Sequence, residues 1–381
     1  MPQKHYKILA VNPGSTSTKI ALYENETLLF EDKIDHPAQS LAGFARMADQ
    51  LPMRREAVMS RLKERNVALS DLDAVSGRGG KLPPLRQGAY QVNAEMVDFL
   101  TNRPIDDHAS NLGAMIGFGI AAPLGLPAFI YDAVVVDQLE DIARLSGVPE
   151  ITRRASCHVL NMRAVARKTA MEMGCPLEEL NVVTCHMGGG ITASILRNGR
   201  MIDVLTDEEG AYSPERAGGV PCRQLVNQCF SGEHTVLSAT RRMRGQGGLV
   251  AYLGTNSALE VEKRIADGDE RAERIYEGMA YQTAKGVAGL ASVVAGNVDV
   301  IVLTGALAHS KMLMDWIVER VRFIAPVRVW PGEDELEALA LGALRVLRGE
   351  EPAHAFVESE LPQIAPTLTV QKNDEPGVSA A

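Results

Sequence analysis

Residues 7–30 read KILAVNPGSTSTKIALYENETLLF, and this stretch decides the fold. Ile8 to Val11 is a short apolar run of the kind a buried strand needs. Asn12 to Thr18 interrupts it with turn formers, Lys19 to Tyr23 resumes it, and Glu24-Asn25 turns the chain back into a third strand. Gly14 lets the backbone come close to a ligand, so this turn can offer N–H groups and the Ser15 and Thr16 hydroxyls to a phosphate, with Lys19 following. It is not a Walker loop: the GxxxxGK[ST] spacing is missing and a strand, not a helix, comes next.

The plan recurs at 182–204, VVTCHMGGGITASILRNGRMIDV. Shifted by 174 positions, Ile8 falls on Val182, Asn12 on His186, Gly14 on Gly188 and Thr18 on Thr192, with Glu24-Asn25 on Asn198-Gly199. Strand, glycine turn, strand and hairpin at one offset predict two similar halves. Gly188, Gly189 and Gly190 let backbone N–H groups wrap a polyphosphate. A further echo links the strand and turn at Ala74–Gly80 with Asp299–Ala308.

At 381 residues the chain is long enough for two domains with sizeable cores. The net charge of −9 argues against nonspecific nucleic-acid binding, so an anionic substrate must be held by local cations. Five cysteines without a CxxC suggest neither a disulfide framework nor a zinc site, which fits a reducing, cytoplasmic setting. Gly113 to Ile130 carries no charge, but its glycines and prolines read as a buried helix ending near Pro123 and a buried strand at Ala128–Tyr131, not a membrane span. Ser40 to Asn66 reads as a helix broken at Pro52, with Arg54, Arg55, Arg61, Lys63 and Arg65 on a solvated face. Ile151 to Met173 reads as another helix.

Arg78 stands between glycines at the C-terminal end of a strand, where open α/β sheets bind ligands, and its planar fork suits a carboxylate or phosphate. Asp132 lies just past a buried strand and could order a metal-bound water or serve as a base. Glu333, Asp334 and Glu335 open a helix, where acids are favoured by the macrodipole.

Nine segments in order carry a wider likeness: NPGSTSTK (12–19), SGRGG (76–80), HASNLGA (108–114), YDAVVVDQ (131–138), CHMGGG (185–190), YSPERAGGVP (212–221), AYLGTN (251–256), LTGALAHS (303–310) and PGEDELEALALGAL (331–344). With them the chain resembles the acetate/butyrate/propionate kinase family of the actin-like ATPase superfamily, and within it the butyrate or branched-chain group. The resemblance implies an α/β fold of two duplicated actin-like, ribonuclease H-like domains. Each would have a mixed five-stranded sheet flanked by helices, with the active-site cleft between them. The first would span 1–178, completed by the helix 336–349, and the second 179–335, with 361–381 as a disordered tail.

The resemblance further implies reversible phosphoryl transfer between ATP and a short-chain carboxylic acid, in a homodimer or larger assembly. Asn12, Arg78, Asp132 and His186 would be catalytic, with Arg78 on the acid's carboxylate and His186 on the transferring group. Ser15, Thr16, Lys19, Gly188, Gly189, Gly190, Gly305 and Ala306 would hold the nucleotide. Asn12 and Glu335 would serve Mg²⁺, with Asp334 the second choice to Glu335. Acetate kinases carry a further arginine where this chain has none, near Leu259–Glu260; Arg242 or Arg244 is left to replace it. His158 is read as structural. A non-catalytic nucleotide sensor and a sugar kinase are the competing readings.

Overall fold

Two three-stranded meanders seed the two sheets of the computed structural model, which describes residues 4–361. The first comprises β1 (Lys7–Pro13), β2 (Ser17–Glu24) and β3 (Thr27–Asp35). It is extended by β4 (Ala74–Gly77), β5 (Ala89–Gln91) and β6 (Ala128–Tyr131). The second comprises β7 (Asn181–Met187), β8 (Ile191–Arg197) and β9 (Arg200–Leu205), joined by β10 (Val300–Gly305) and β11 (Val327–Pro331). A last strand, β12 (Ala353–Ala355), returns to the first sheet.

The second sheet has the order β11-β10-β7-β8-β9, and the first contains its counterpart, β6-β4-β1-β2-β3. Five strands were expected in each sheet, but the first has seven, because β5 and β12 add to the outer edge of β6. The physical reason is burial. All four residues of β6 are buried, so its edge must be covered, whereas β11 is mostly exposed and serves as an edge itself.

The duplication is finer than the sequence offset suggests. β1 pairs Asn12 with Lys19, and β7 pairs His186 with Thr192. The first loop therefore holds one residue more, and the second strands match at an offset of 173, not 174. Lys19, not Thr18, is the counterpart of Thr192. The register shift at Leu22/Tyr23 recurs at Ile195/Leu196, both at that offset. The hairpin turns are Asn25-Glu26 and Asn198-Gly199, one residue later than expected in the first copy. Both asparagines have φ of 53°, a left-handed value that Asn tolerates better than most residues.

Six helices matter for the site: α1 (Leu51–Glu64), α2 (Asn111–Ala121), α3 (Val159–Met173), α4 (Glu270–Ala291), α5 (Lys311–Val321) and α6 (Glu335–Leu347). Pro52 sits in the first turn of α1 and so starts the helix instead of breaking one, because its missing N–H is not needed there. The helix expected from Ile151 begins only at Val159. The uncharged stretch 113–130 resolves into α2, a short 3-10 turn and β6. Among the described residues no helix is long and apolar enough to cross a membrane.

The run Ile8–Val11 is wholly buried because each face of β1 meets a different layer. Leu9 and Val11 pack with Val58, Leu62 and Ile116 of α1 and α2, while Ile8 and Ala10 pack with Leu339 and Ala343 of α6. The second sheet is likewise double-covered, with Val183 and Cys185 against α4 and α5, and Val182 and Val300 against Met162 and Ala166 of α3. The helices are thus exchanged: α3 follows the first sheet in sequence and packs on the second, while α6 follows the second and packs on the first. Leu361 closes the first core; residues 362–381 of the expected tail lie outside the described residues.

Candidate active site

The two copies deliver equivalent residues to one cleft. β1 ends at Asn12-Pro13 and β7 at His186-Met187, and their parallel neighbours β4 and β10 end at Gly77 and Gly305. Glycines at 77 and 305 are dictated by close approach. A side chain on Gly77 would run into the Gly113 carbonyl of α2, and one on Gly113 into the Arg78 backbone. SGRGG and HASNLGA are therefore the two sides of one backbone contact, which fixes where Arg78 stands. Gly305 has φ of 94° and abuts the Met187 backbone. It exchanges hydrogen bonds of 3.1 and 3.0 Å with Gly332, which pins the segment leading into α6.

That segment spans both copies. Glu335 Oε2 accepts from Asn12 Nδ2 at 2.5 Å and from Arg78 Nη1 at 2.5 Å. Two residues earlier, Glu333 Oε1 lies 3.0 Å from His186 Nε2. This is a close contact off the ring's N–H direction, and the buried His186 nitrogens have no aligned hydrogen-bond partner. The contact holds the Glu333 carboxyl well below the usual carboxylate range. One acid thus faces each of the paired strand-end residues, Asn12 and His186.

His158 caps α3 and stacks on His186, with ring centroids 3.8 Å apart and 11° between planes. Its Nδ1 meets Thr192 Oγ1 at 2.9 Å. Burial, then the neighbouring His186, push its pKa down to about 3, so it stays neutral beside its partner. The Gly188–Gly190 turn is closed by its own Gly188 N–H to Gly190 O bond of 2.9 Å and by Ser213 Oγ donating to Gly189 O at 2.6 Å. The YSPER segment is thus the scaffold of the triglycine turn.

The first loop is held differently, by a residue read from the sequence as solvated. Arg54 is fully buried. Its Nη1 donates to Gly14 O at 2.7 Å and Ser17 O at 3.1 Å, and its Nη2 to Ser15 O at 2.8 Å. The correction has a visible signal: Arg54, Val58 and Leu62 are spaced four apart and form the buried stripe of α1. With the carbonyls drawn inward, Ser15 and Thr16 stand exposed at the tip. Lys19 is exposed beside Asn12 across the hairpin, and Ala306 is exposed just beyond Gly305.

Asp132 reaches the cleft wall but is not free. Its backbone sits at φ of 42°, and its buried Oδ1 accepts from the fully buried Arg163 and from Gly88 N at 2.8 Å. A carboxylate engaged in this way cannot serve as the base that its position suggested. Asp137 is likewise paired, with Arg144 at 2.8 Å.

A cavity of about 220 Å³ opens where these elements meet. Its lining includes Arg78, Lys81, His108 and Arg244, the acids Asp132, Asp207 and Glu335, and the apolar Ala133, Val134, Val159 and Leu160. Burial, then Arg244, lower the pKa of Lys81; burial, then Lys81, lower that of His108. Like charges gathered in one half-buried place mark an anion site. Arg242 instead meets His234 at 2.6 Å on the surface. Arg244 is therefore the arginine of the pair that faces the cleft. Lys81, one residue past SGRGG, escaped the sequence reading because nothing but its place beside that motif distinguishes it.

The fold is α/β, two similar mixed sheets that each form a lobe with their flanking helices, with the paired strand ends facing each other. Residues 147–325 match the Acetokinase family. The chain superposes on Porphyromonas gingivalis acetate kinase with a TM-score of 0.73 at 19% identity, covering 90% of this chain and 100% of that one. A propionate kinase from Francisella tularensis subsp. tularensis gives 0.69 at 17%, with 88% and 98% covered. Acetate kinase from Entamoeba histolytica gives 0.69 at 14%, with 87% and 97% covered.

Proposed function

We propose that this chain is an acetokinase-family carboxylate kinase that transfers the γ-phosphoryl group of ATP reversibly to a short-chain fatty acid, butyrate or a branched acid. One observation carries the reading: the cleft cavity is lined both by the cations Arg78, Lys81 and Arg244 and by apolar residues, beside Asn12 and His186. A carboxylate with a short hydrocarbon tail satisfies both. Phosphate alone leaves the apolar lining unused, and a sugar leaves the cations unneutralised. The match to the Acetokinase family supports the same chemistry.

In this reading the acid's oxygen attacks the γ-phosphorus, the bond to the β-phosphate oxygen breaks, and ADP leaves. The carboxylate is already ionised near neutral pH, so no base is required. This agrees with an Asp132 held by Arg163, whose role becomes that of a positioning residue. The protein's work is placement and charge stabilisation. Arg78 and Arg244 orient the acid. The Gly188–Gly190 turn, the Ser15-Thr16 tip, Lys19 and the Gly305-Ala306 turn hold the nucleotide. Asn12 and His186 donate to the transferring group from opposite lobes.

Mg²⁺ fits the donors present. It favours one or two carboxylates, with phosphate oxygens and waters completing its shell. Among the described residues no three His, Cys, Asp or Glu converge into a self-sufficient metal cage. Glu335, with Asn12 bonded to it, would hold the ion, which would neutralise developing charge on the phosphates. The reading also includes the lobe boundary at 178/179, with α6 returned to the first lobe, and assembly into homodimers, to be checked by light scattering.

Acyl-hydroxamate formation from Mg-ATP with acetate, propionate, butyrate, isobutyrate and valerate tests the proposal. A kcat/KM maximum at butyrate or isobutyrate is expected. A maximum at acetate would keep the reaction and overturn the substrate. No product with any acid would overturn both, in favour of a nucleotide sensor.

A further inference from the structure

The second lobe carries a helical hairpin that the rest of the described chain leaves bare. Its helices are Cys222–Cys229 and Val236–Met243, eight residues each. In the first, Cys222, Leu225, Val226, Cys229 and Phe230 recur at the i, i+3, i+4, i+7, i+8 spacing of an apolar stripe. In the second, Val236, Ala239 and Met243 do the same, with Leu237 beside them. Such stripes normally face a core. Here neither helix buries a single residue, and neither packs extensively on another element. Phe230 is 87% exposed, Val236 86% and Leu237 61%.

Helices this short do not hold in water by themselves: below about 12–15 residues they are marginal and depend on packing of their apolar face. The hairpin therefore needs a cover that the described residues do not supply. Two observations say what the cover is. The first is size. Residues 221–243 contain no buried residue, and with the neighbouring exposed Tyr252 and Leu259 they reach the roughly 20–30 residues a side of a standard interface. The second is charge. Residues 222–244 hold four arginines and one glutamate, whereas residues 259–273, the next part of the same lobe, hold six acids and three bases. A twofold axis lets each basic hairpin meet the acidic segment of the other copy, since such a contact is made twice. An anionic membrane or a nucleic acid would be drawn to the hairpin but repelled by that segment and by the net charge of −9.

We infer that the hairpin is the contact surface between two copies of this chain, each apolar stripe covered by the other copy's second lobe. This gives a surface to the homodimer proposed above. It also reaches the cleft. The hairpin's foot is tied to the segment that supports the triglycine turn, by Ala217 N–H to Met243 O at 2.9 Å and Gly245 N–H to Glu215 O at 2.7 Å. Arg244 stands between those two bonds and lines the cleft cavity. Covering the hairpin steadies the arginine that faces the acid. That consequence rests on the carboxylate reading of the cleft; the contact itself does not.

The chain's own thiols report the cover. Of its five cysteines, Cys222 and Cys229 are exposed, Cys157 and Cys185 are buried and Cys175 is half-buried. Maleimide labelling of the full chain, read peptide by peptide by mass spectrometry, is paired with light scattering of the same sample. The expected result is a dimer at micromolar concentration in which Cys222 and Cys229 react about tenfold more slowly than in a Phe230→Asp/Leu237→Asp variant, as when about nine-tenths of the hairpins are covered. That variant should be a folded monomer, because both side chains it changes are exposed. Phe323→Asp, 79% exposed but outside the hairpin, should remain a dimer with slow thiols. A dimer with fast Cys222 and Cys229, or one that survives Phe230→Asp/Leu237→Asp, would overturn the inference. So would a monomer, whether its thiols are fast, slowed by phosphatidylserine vesicles, or slow without them, the last assigning the cover to residues 362–381. None of these readings involves turnover, so they stand or fall apart from the proposed kinase activity. In the active enzyme the double variant should raise KM for the acid severalfold and leave that for ATP unchanged; an unchanged acid KM would overturn the link to Arg244.

Discussion

The hairpins ending at Asn12 and His186 share strand order, a register shift at one offset and an asparagine of φ 53° at the same turn. They differ in how the loop is held and in what it ends on. The first is longer, rich in hydroxyls and clamped from below by a buried arginine. The second is three glycines closed by their own backbone and by Ser213. The lesson is that a duplicated scaffold fixes where the paired residues stand, while their chemistry diverges. An amide faces Glu335 on one side, and a stacked imidazole faces Glu333 on the other.

The largest effect that would break this comparison is catalytic. If Asn12 and His186 act on one transferring group, His186→Ala and Asn12→Ala should each lower kcat by about 10²–10³-fold, the usual cost of one transition-state donor. A loss confined to one of them would show that the copies no longer share a task. Next comes stability. Arg54→Met takes the arginine donor from the Gly14 and Ser15 carbonyls, while Ser17 O keeps Gly14 N, and should destabilise the protein by about 3 kcal/mol, several unmet hydrogen bonds' worth, in urea unfolding. Ser213→Ala, its nearest equivalent in the second copy, should cost about 1 kcal/mol.

Smaller still is the acid-binding contrast. Arg244→Gln should raise KM for the acid about tenfold, one charged hydrogen bond's worth, while Arg242→Gln leaves it unchanged. The smallest is a pH effect. His158 binds a proton more readily unfolded, near pH 6.5, than folded, near pH 3. Its contribution is therefore present above pH 6.5 and is lost as pH falls toward 3. His158→Phe should flatten the decline of Tm between pH 6.5 and 5, measured by calorimetry.

Much of this arrangement was legible in the sequence because it rests on local signals. Buried runs, glycine turns and Asn198-Gly199 mark the two meanders, and a residue match between Asn12 and His186 follows from aligning them. What escaped depends on tertiary context. A one-residue difference in loop length is invisible until the strands pair, so Thr18 was set against Thr192 where Lys19 belongs. Arg54 reads as a surface charge until the stripe with Val58 and Leu62 is seen to face the core. Asp132 looks free because its partner Arg163 is 31 residues away. The two extra strands of the first sheet are three residues each, too short to show a period of two.

The most direct test of the central claim is ³¹P NMR of the full chain with Mg-ATP and butyrate, without a trapping agent. The account predicts an acyl-phosphate resonance growing in step with ADP, absent without the acid and greatly reduced in Arg78→Ala. Release of inorganic phosphate at the same rate with and without butyrate would contradict it.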